Sequence, residues 1–305
     1  MILGERDPAL SASIGKAMQA RGVRQLQHCT EAENLFSTLD NEIVDVLIYD
    51  YDLLGNDFAD VMQRIRRKGR GKNPFVIIVA MVSNAEPETV SRLIGAGVDD
   101  LVRKPFSIDR LFESVGTLSH ERKPFFVSYN YVGPTRRTGH RALEPASQII
   151  HVPNTARSRA IEGISDEELT KMVDRAIKGL DEKQLESCGI EIDMLATRVS
   201  QNLGSEVTQE DLQDVRGSLF RIEAVADDLR KRSKGTPFER ISELATMVIA
   251  MTQRILRAQN PASSIEVQLM VKLAAAIKRA LSVERHSVDV MREITSMITN
   301  FTKSH

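Results

Sequence analysis

The sequence has little of what forms crosslinks or spans membranes. It contains two cysteines in 305 residues, Cys29 and Cys188, far apart along the chain. Two distant cysteines exclude a disulfide framework and are typical of a reducing compartment. No apolar run approaches the ~20 residues of a membrane-spanning helix, and the N-terminus shows no signal segment. These absences predict a cytoplasmic protein with no membrane segment.

An excess of charge of one sign is also lacking, although the charges are uneven along the chain. The 41 basic and 42 acidic side chains nearly cancel, so no overall field favours nucleic acid or membrane. Residues 121–163, however, carry seven basic and three acidic side chains, whereas residues 1–120 carry 14 and 17. Residues 121–163 also hold four prolines and show no sustained period. We therefore predict a basic linker arm over residues 121–163, between two separate domains.

Two strand-like runs end in residues of opposite charge. Residues 44–49 are almost continuously apolar and lead to Asp50, which is the pattern of a strand buried on both faces of a parallel sheet. The short run Leu101-Val102 leads to Lys104, followed by Pro105-Phe106. Ligands of open α/β sheets bind at the carboxyl ends of the strands. We therefore expect Asp50 and Lys104 to lie side by side at one sheet edge.

The first 120 residues alternate between strand-like and helical patterns, which predicts an α/β doubly wound parallel sheet of five strands. Within this frame, Asp50 and Lys104 resemble the phosphoacceptor aspartate and the partner lysine of a two-component receiver domain. The segment from Ala96 to Phe106 is similar to the last turn and strand of that family. We place the receiver-like domain at residues 1–120. The strand-like runs lie at 1–3, 23–27, 43–49, 75–81 and 101–102.

The resemblance implies a phosphorylation site with a weakened metal position. Receiver domains usually supply two adjacent acids after the first strand to hold Mg²⁺, a cation that prefers oxygen ligands. The matching pair here is Glu5-Arg6, so only one acid remains. The resemblance therefore implies Asp50 as phosphoacceptor, Glu5 and Asp50 as ligands of a weakly bound Mg²⁺, and Lys104 as phosphate partner. Arg6 and Asp52 are further candidates for the pocket.

The switch residues of the family are expected to be missing. The hydroxyl residue that usually ends the fourth strand aligns with Val79, and the aromatic residue of the last strand aligns with Leu101. Two alternatives follow for Asp50. It is a phosphorylated aspartate, or it is a structural carboxylate of a phosphorylation-independent pseudo-receiver, paired with Arg6 or Lys104.

The start of the linker arm is unusually aromatic, with four aromatic residues between Phe125 and Tyr131. The segment Tyr131–Arg137 resembles a Tyr-x-Gly-Pro-x-Arg-Arg stretch that follows the receiver domain in some bacterial response regulators. We interpret the segment as an arm that docks on a protein surface. That surface belongs either to a partner or second subunit, or to the chain's own receiver-like domain.

The remaining residues, 164–305, predict an all-α helical bundle. Capping signatures alternate with glycine or proline stops, and apolar residues recur at intervals of three and four, as in Leu185–Val199 and Leu212–Leu229. Gly179 and Asn260-Pro261 are among the predicted stops. The predicted helices are 166–178, 182–203, 209–232, 237–258 and a last one from 264 toward the C-terminus.

The bundle offers little catalytic chemistry. Residues Val215–Leu219 resemble the active helix of a histidine phosphotransfer domain, yet no histidine is present there. His286 is the other candidate for phosphotransfer, and its flanks do not match a kinase phosphoacceptor box. Phosphate loops, metal-ligand spacings and a short DNA-binding helix-turn-helix are absent from the sequence.

These observations predict a non-enzymatic, response-regulator-like signalling protein of the two-component class. Its expected partners are a sensor kinase or phosphotransfer protein, an unknown protein that binds the helical bundle, and a second copy of the chain; DNA is not expected. Two alternatives stay open. One is the pseudo-receiver adaptor, and the other is a helical phosphotransfer or phosphatase module that acts on a receiver.

Overall fold

The strand-like runs of the N-terminal region form one parallel sheet in a computed structural model of the chain. The sheet has the order β2-β1-β3-β4-β5, and every neighbouring pair is parallel. The predicted five-stranded doubly wound fold is confirmed. Its strands are β1 (Ile2–Gly4), β2 (Gln27–Cys29), β3 (Val46–Asp50), β4 (Ile77–Val82) and β5 (Asp100–Arg103).

The structure describes residues 1–54, 57–83, 85–136, 148–203, 208–257 and 265–282. The chain divides into two compact units, Met1–Leu180 and Asp181–His305. The sequence instead placed domain limits at 120 and 163, and those limits stay predictions. Within the described residues, each helix is too short or too polar to cross a membrane.

The sheet is buried on both faces because helices cover each side. Every residue of β3 and β4 is buried, and two separate apolar clusters pack on the two faces of the sheet. The central strands therefore read as continuous apolar runs. The covering helices are α1 (Pro8–Ala20), α2 (Ala32–Asn41), α3 (Tyr51–Leu54), α4 (Phe58–Arg66), α5 (Pro87–Gly95) and α6 (Ile108–His120).

The predicted linker arm contains a second, antiparallel sheet of three short strands with the order β7-β6-β8. Glycines allow this sheet to approach the turn before β5, since a Cβ on Gly133 would lie 2.7 Å from the Cα of Gly97. The Arg67 guanidinium also donates to the Tyr129 carbonyl at 3.1 Å. These contacts agree with the second alternative for the arm, namely that it packs against the chain's own receiver-like domain. The strands are β6 (Phe125–Val127), β7 (Val132–Pro134) and β8 (Ile149–Ile150), followed by α7 (Thr155–Ala160).

The C-terminal region is helical as predicted, with one correction to the helix limits. Gly179 does not end a helix, and α8 runs without a break from Asp166 to Asn202. An interior glycine costs only about 1 kcal/mol relative to alanine, and the apolar contacts of Leu180 and Leu185, both buried, favour continuation. The remaining helices are α9 (Gln209–Ser233), α10 (Glu239–Arg257) and α11 (Ile265–Leu281).

Some sequence expectations fall outside the described residues. These are the stop at Asn260-Pro261, the last helix beyond residue 282, and His286.

A buried ion cluster joins the second sheet to the receiver-like domain. The Asp99 carboxylate accepts from Arg66 at 2.7 Å and lies 3.3 Å from Arg122, and all three side chains are at most 3% exposed. Both guanidinium groups lie over the ring of Phe125, at 5.0 and 4.9 Å. Burial lowers the pKa of Arg66 to about 10, while the charge of Asp99 opposes that shift. One carboxylate therefore holds two buried cations in place.

Removal of the Asp99 charge should destabilise the first unit. Asp99→Asn leaves two buried guanidinium groups without a counter-charge, which we expect to lower the free energy of unfolding by about 3–5 kcal/mol. All four tyrosines lie in Met1–Leu180, so urea unfolding followed by tyrosine fluorescence reports on this unit. The matched control is Asp100→Asn, whose side chain is 34% exposed and should change stability by less than about 1 kcal/mol. Equal stability of the two variants would contradict the role of the cluster.

Candidate functional site

Three strand ends bring together the charged residues that the sequence singled out. Glu5 follows β1, Asp50 ends β3, and Lys104 follows β5. The Lys104 ammonium lies 2.8 Å from Glu5 Oε2 and 2.9 Å from Asp50 Oδ2. The two carboxylates are nearly inaccessible, with Glu5 2% and Asp50 3% exposed. Asp50, Glu5 and Lys104 therefore form one cluster at the carboxyl edge of the sheet.

The second oxygen of each carboxylate is held by the backbone. The amide of Asp7 donates to Glu5 Oε1 at 3.0 Å, and the amide of Asp52 donates to Asp50 Oδ1 at 3.3 Å. Both amides lie two residues beyond the carboxylate they contact, Asp7 directly before α1 and Asp52 in α3 directly after β3. Local backbone geometry thus orients the carboxylates, and Lys104 joins them across the sheet.

The protonation equilibria reflect burial and this shared cation. Burial raises the pKa of Asp50, and the nearby Glu5 charge adds to the rise, whereas the hydrogen bond from Lys104 opposes it. Burial by itself would lower the pKa of Lys104, but its hydrogen bonds to Glu5 and Asp50 outweigh burial and raise it. Lys104 is therefore held firmly in its charged form.

The other two candidates lie at the rim of this cluster. The Arg6 side chain is exposed, and within the described residues it makes no ion pair with Asp50. Of the two partners considered for Asp50, Arg6 and Lys104, it is therefore Lys104 that pairs with it. The Asp52 carboxylate is also exposed and accepts a hydrogen bond from the Ser83 hydroxyl at 2.8 Å.

Ser83 was missed by the sequence analysis. The alignment placed the hydroxyl position at Val79, but Val79 lies opposite Ile48 in the middle of the strands, and Met81 lies opposite Asp50. Ser83 comes directly after β4, so it reaches the same edge as Asp50. The useful signal was the end of the apolar run, because a polar residue there must lie at the carboxyl edge of the sheet. A hydroxyl is therefore present near the site, although not at the expected position.

The donor set fits a weakly held Mg²⁺. Within the described part of the chain, no group of three or more acidic, histidine or cysteine side chains is arranged as a metal site. Mg²⁺ often takes only one or two carboxylates from the protein and completes its shell with water and substrate phosphate. Glu5 and Asp50 could supply that pair. Lys104 already pairs with both carboxylates, so the metal would compete with its ammonium.

The fold and the edge cluster define a class of α/β domain that carries an acid pair and a lysine at its strand ends. Comparison with known families identifies it: residues 2–116 match the model of the response regulator receiver domain. The N-terminal domain of this chain is therefore a receiver domain. The resemblance drawn from Asp50 and Lys104 is confirmed at the level of the family.

Two kinds of curated relative share this region. The transcriptional regulatory protein TcrA of Mycobacterium tuberculosis is 27% identical over 146 residues, which cover 48% of this chain and 53% of the relative. A cyclic di-GMP phosphodiesterase of Thermotoga maritima is 26% identical over 112 residues, or 36% of this chain and 28% of that protein. The alignments thus span about half or less of each relative. They support the receiver domain and leave the role of the helical region to be proposed.

Neutralisation of Asp50 should stabilise the receiver domain at neutral pH. Because its folded-state pKa is raised, the folded state retains a proton that the unfolded chain releases, and ionised Asp50 destabilises the fold above the ordinary pKa near ~4. Asp50→Asn should therefore raise the thermal midpoint at pH 7, and the difference should shrink as the pH falls toward about 4. Tyrosine fluorescence provides the measurement, with Asp52→Asn as the exposed control. A lower midpoint for Asp50→Asn at pH 7 would refute the expectation.

A second acid beside Glu5 should strengthen metal binding. Arg6→Asp removes a cation and adds an oxygen ligand, so we expect Mg²⁺ affinity to rise about tenfold or more, equivalent to roughly 1.4 kcal/mol. Competition of Mg²⁺ with Mn²⁺, followed by electron paramagnetic resonance, measures the affinity. Arg24→Asp makes the same charge change before β2, at the opposite edge of the sheet, and should leave the affinity unaltered. An equal gain in both variants would show that overall charge, and not a ligand at residue 6, governs binding.

Proposed function

We propose that this chain is a response-regulator-like signalling protein whose receiver domain accepts a phosphoryl group on Asp50. The observation that carries the proposal is the position of the Lys104 ammonium between the carboxylates of Glu5 and Asp50. A cation at that point can stabilise the charge of a phosphoryl group attached to the neighbouring oxygen. A receiver domain over residues 2–116 implies a sensor kinase or phosphotransfer protein as the donor.

The proposed reaction transfers a phosphoryl group from the donor to one oxygen of Asp50. That oxygen forms a bond to phosphorus while the bond from phosphorus to the donor breaks, and the donor leaves with the electron pair. Lys104 favours the ionised carboxylate required for attack and contacts the transferred oxygens. Mg²⁺ bound by Glu5 and Asp50 would supply further positive charge at the same oxygens. Asp52, Ser83 and the exposed Arg6 would lie at the rim of the pocket.

A phosphorylation-independent pseudo-receiver is the second candidate, and a specific observation supports it. Lys104 already pairs with both acids without any phosphoryl group, and an arginine stands where the family usually has the second acid for Mg²⁺. In that case the cluster would be a structural ion pair, and output would depend on the amount of protein or on the state of its partner.

We propose that the helical region provides output through protein contacts, not through DNA or catalysis. Its helices α8 to α11 are long and packed on apolar seams, a form suited to binding helices of other proteins or of a second copy. The phosphotransfer and phosphatase alternatives lack support from the described residues, and His286 lies outside them. The two cysteines are buried and form no disulfide, which accords with a cytoplasmic location.

Phosphorylation by a small donor tests the function. The full chain, incubated with acetyl phosphate and Mg²⁺, should gain one phosphoryl group by intact mass spectrometry, and Asp50→Asn should abolish the gain. The matched control is Asp52→Asn, which removes a neighbouring carboxylate and should keep the modification. If the wild-type chain gains no mass while a receiver with both metal-binding acids gains a phosphoryl group in parallel, the result would favour the pseudo-receiver.

A further inference from the structure

One stripe of α9 is exposed and yet carries no charge. Gln213, Gly217, Phe220 and Ala224 follow at intervals of four, three and four, so they share one side of the helix, and all four are exposed. Phe220 is 57% exposed, which is unusual for an aromatic residue. The solvent side of a surface helix normally carries charged and polar groups. An uncharged stripe with a protruding aromatic ring is instead typical of the centre of an interface.

Packing within the described residues does not explain the glycine in this stripe, Gly217. A Cβ added to Gly217 would meet nothing within 4 Å, so no packing inside the structure requires a bare backbone there. A glycine inside a helix costs about 1 kcal/mol relative to alanine. Gly217 leaves a shallow gap on the helix surface, one turn from the exposed ring of Phe220. Such a gap admits a side chain that approaches from outside.

We infer that this stripe, Gln213 to Ala224, is a two-fold interface at which α9 packs antiparallel against α9 of a second copy of the chain. In this arrangement Phe220 of each copy fills the gap at Gly217 of the other, and Gln213 lies opposite Ala224. Each large side chain thereby meets a small residue, and both pairs share one centre between Ser218 and Leu219. Such reciprocal contact of one surface with itself is the property of a two-fold dimer.

The charges beside the stripe agree with the same symmetry. On one flank, Arg216 precedes Glu223 by seven residues, and on the other, Asp214 precedes Arg221 by seven. Both pairs are centred within one residue of the midpoint of the stripe. Antiparallel packing therefore places Arg216 of one copy near Glu223 of the other, and Asp214 near Arg221. Within one copy Asp214 already pairs with Arg198 and Arg221 with Glu191, and Glu223 accepts from Gln253, so the contacts between copies would extend existing polar pairs. A parallel arrangement would instead place Phe220 against Phe220 and Gly217 against Gly217, so the large and small residues would no longer meet.

Self-complementarity of size and charge favours a second copy over an unrelated protein as the occupant. The inference concerns the helical region and does not depend on phosphorylation of Asp50. The inference can therefore fail while the proposed function holds, and the reverse is also true. Sedimentation measures whether two copies associate, whereas mass spectrometry measures whether Asp50 gains a phosphoryl group.

Sedimentation equilibrium of the full chain tests the interface. The wild-type chain should be a dimer at micromolar concentration, and Phe220→Arg should weaken the dimer about 30-fold or more, the effect expected for loss of a central aromatic anchor. The control is Ile265→Arg, which charges another exposed apolar side chain, 79% exposed on α11, and should leave the dimer intact. Circular dichroism of each variant checks that the helices remain folded. A monomeric wild-type chain, or a dimer unaffected by Phe220→Arg, would overturn the inference.

Disulfide trapping tests the register independently of any loss of stability. A chain with Gln213→Cys mixed with a chain with Ala224→Cys should form a crosslinked heterodimer under mild oxidation, because the two positions lie opposite each other within the reach of a disulfide. Each variant alone should crosslink little, since each would need to bridge several turns of helix. The native Cys29 and Cys188 are buried, and the wild-type chain under the same oxidation gives the background level of crosslinking. Equal crosslinking in the mixture and in the single variants would exclude the antiparallel register.

Discussion

The first unit depends on one constraint, namely that two buried carboxylates at a sheet edge share a single ammonium group. Glu5 and Asp50 are both almost fully buried. Two negative charges placed together out of water repel each other, and a cation between them offsets that repulsion. Lys104 supplies that cation from a third strand. Any phosphoryl group or metal ion that enters this site must therefore displace or share the contacts that Lys104 already makes with the two carboxylates.

The same strand that delivers Lys104 is held by a second ion cluster at its other end. Asp99 precedes β5 and binds Arg66 and Arg122, whereas Lys104 follows β5 and binds the carboxylates of the site. The Arg122 guanidinium also reaches the Phe75 carbonyl just before β4. The second sheet is thus attached at one end of a four-residue strand and the candidate site lies at the other. This explains physically why the predicted linker arm packs as part of the receiver domain unit.

The sequence predicted the features that depend on strand ends, and it missed those that depend on register or distant partners. Asp50 and Lys104 could be found because each ends an apolar run, and parallel strands bring such ends to one edge. Ser83 was overlooked because the register between β3 and β4 cannot be read from apolar runs alone. Arg66 lies in a run of basic residues that would ordinarily be exposed, and its burial depends on carbonyls and on Asp99, 33 residues away. Gly179 shows that a local stop signal yields when buried apolar contacts continue on both sides.

The helical region illustrates how a regular seam can hide a surface. The predicted seam of α9 is largely confirmed, since Val215, Leu219 and Ile222 are buried. Its first member, Leu212, lies in the first turn of α9 and is instead 43% exposed. Apolar spacing therefore identifies which side of a helix packs within the chain. On the opposite side, the stripe from Gln213 to Ala224 carries no charge although charged residues flank it, and this contrast is the observation on which the proposed two-fold interface rests.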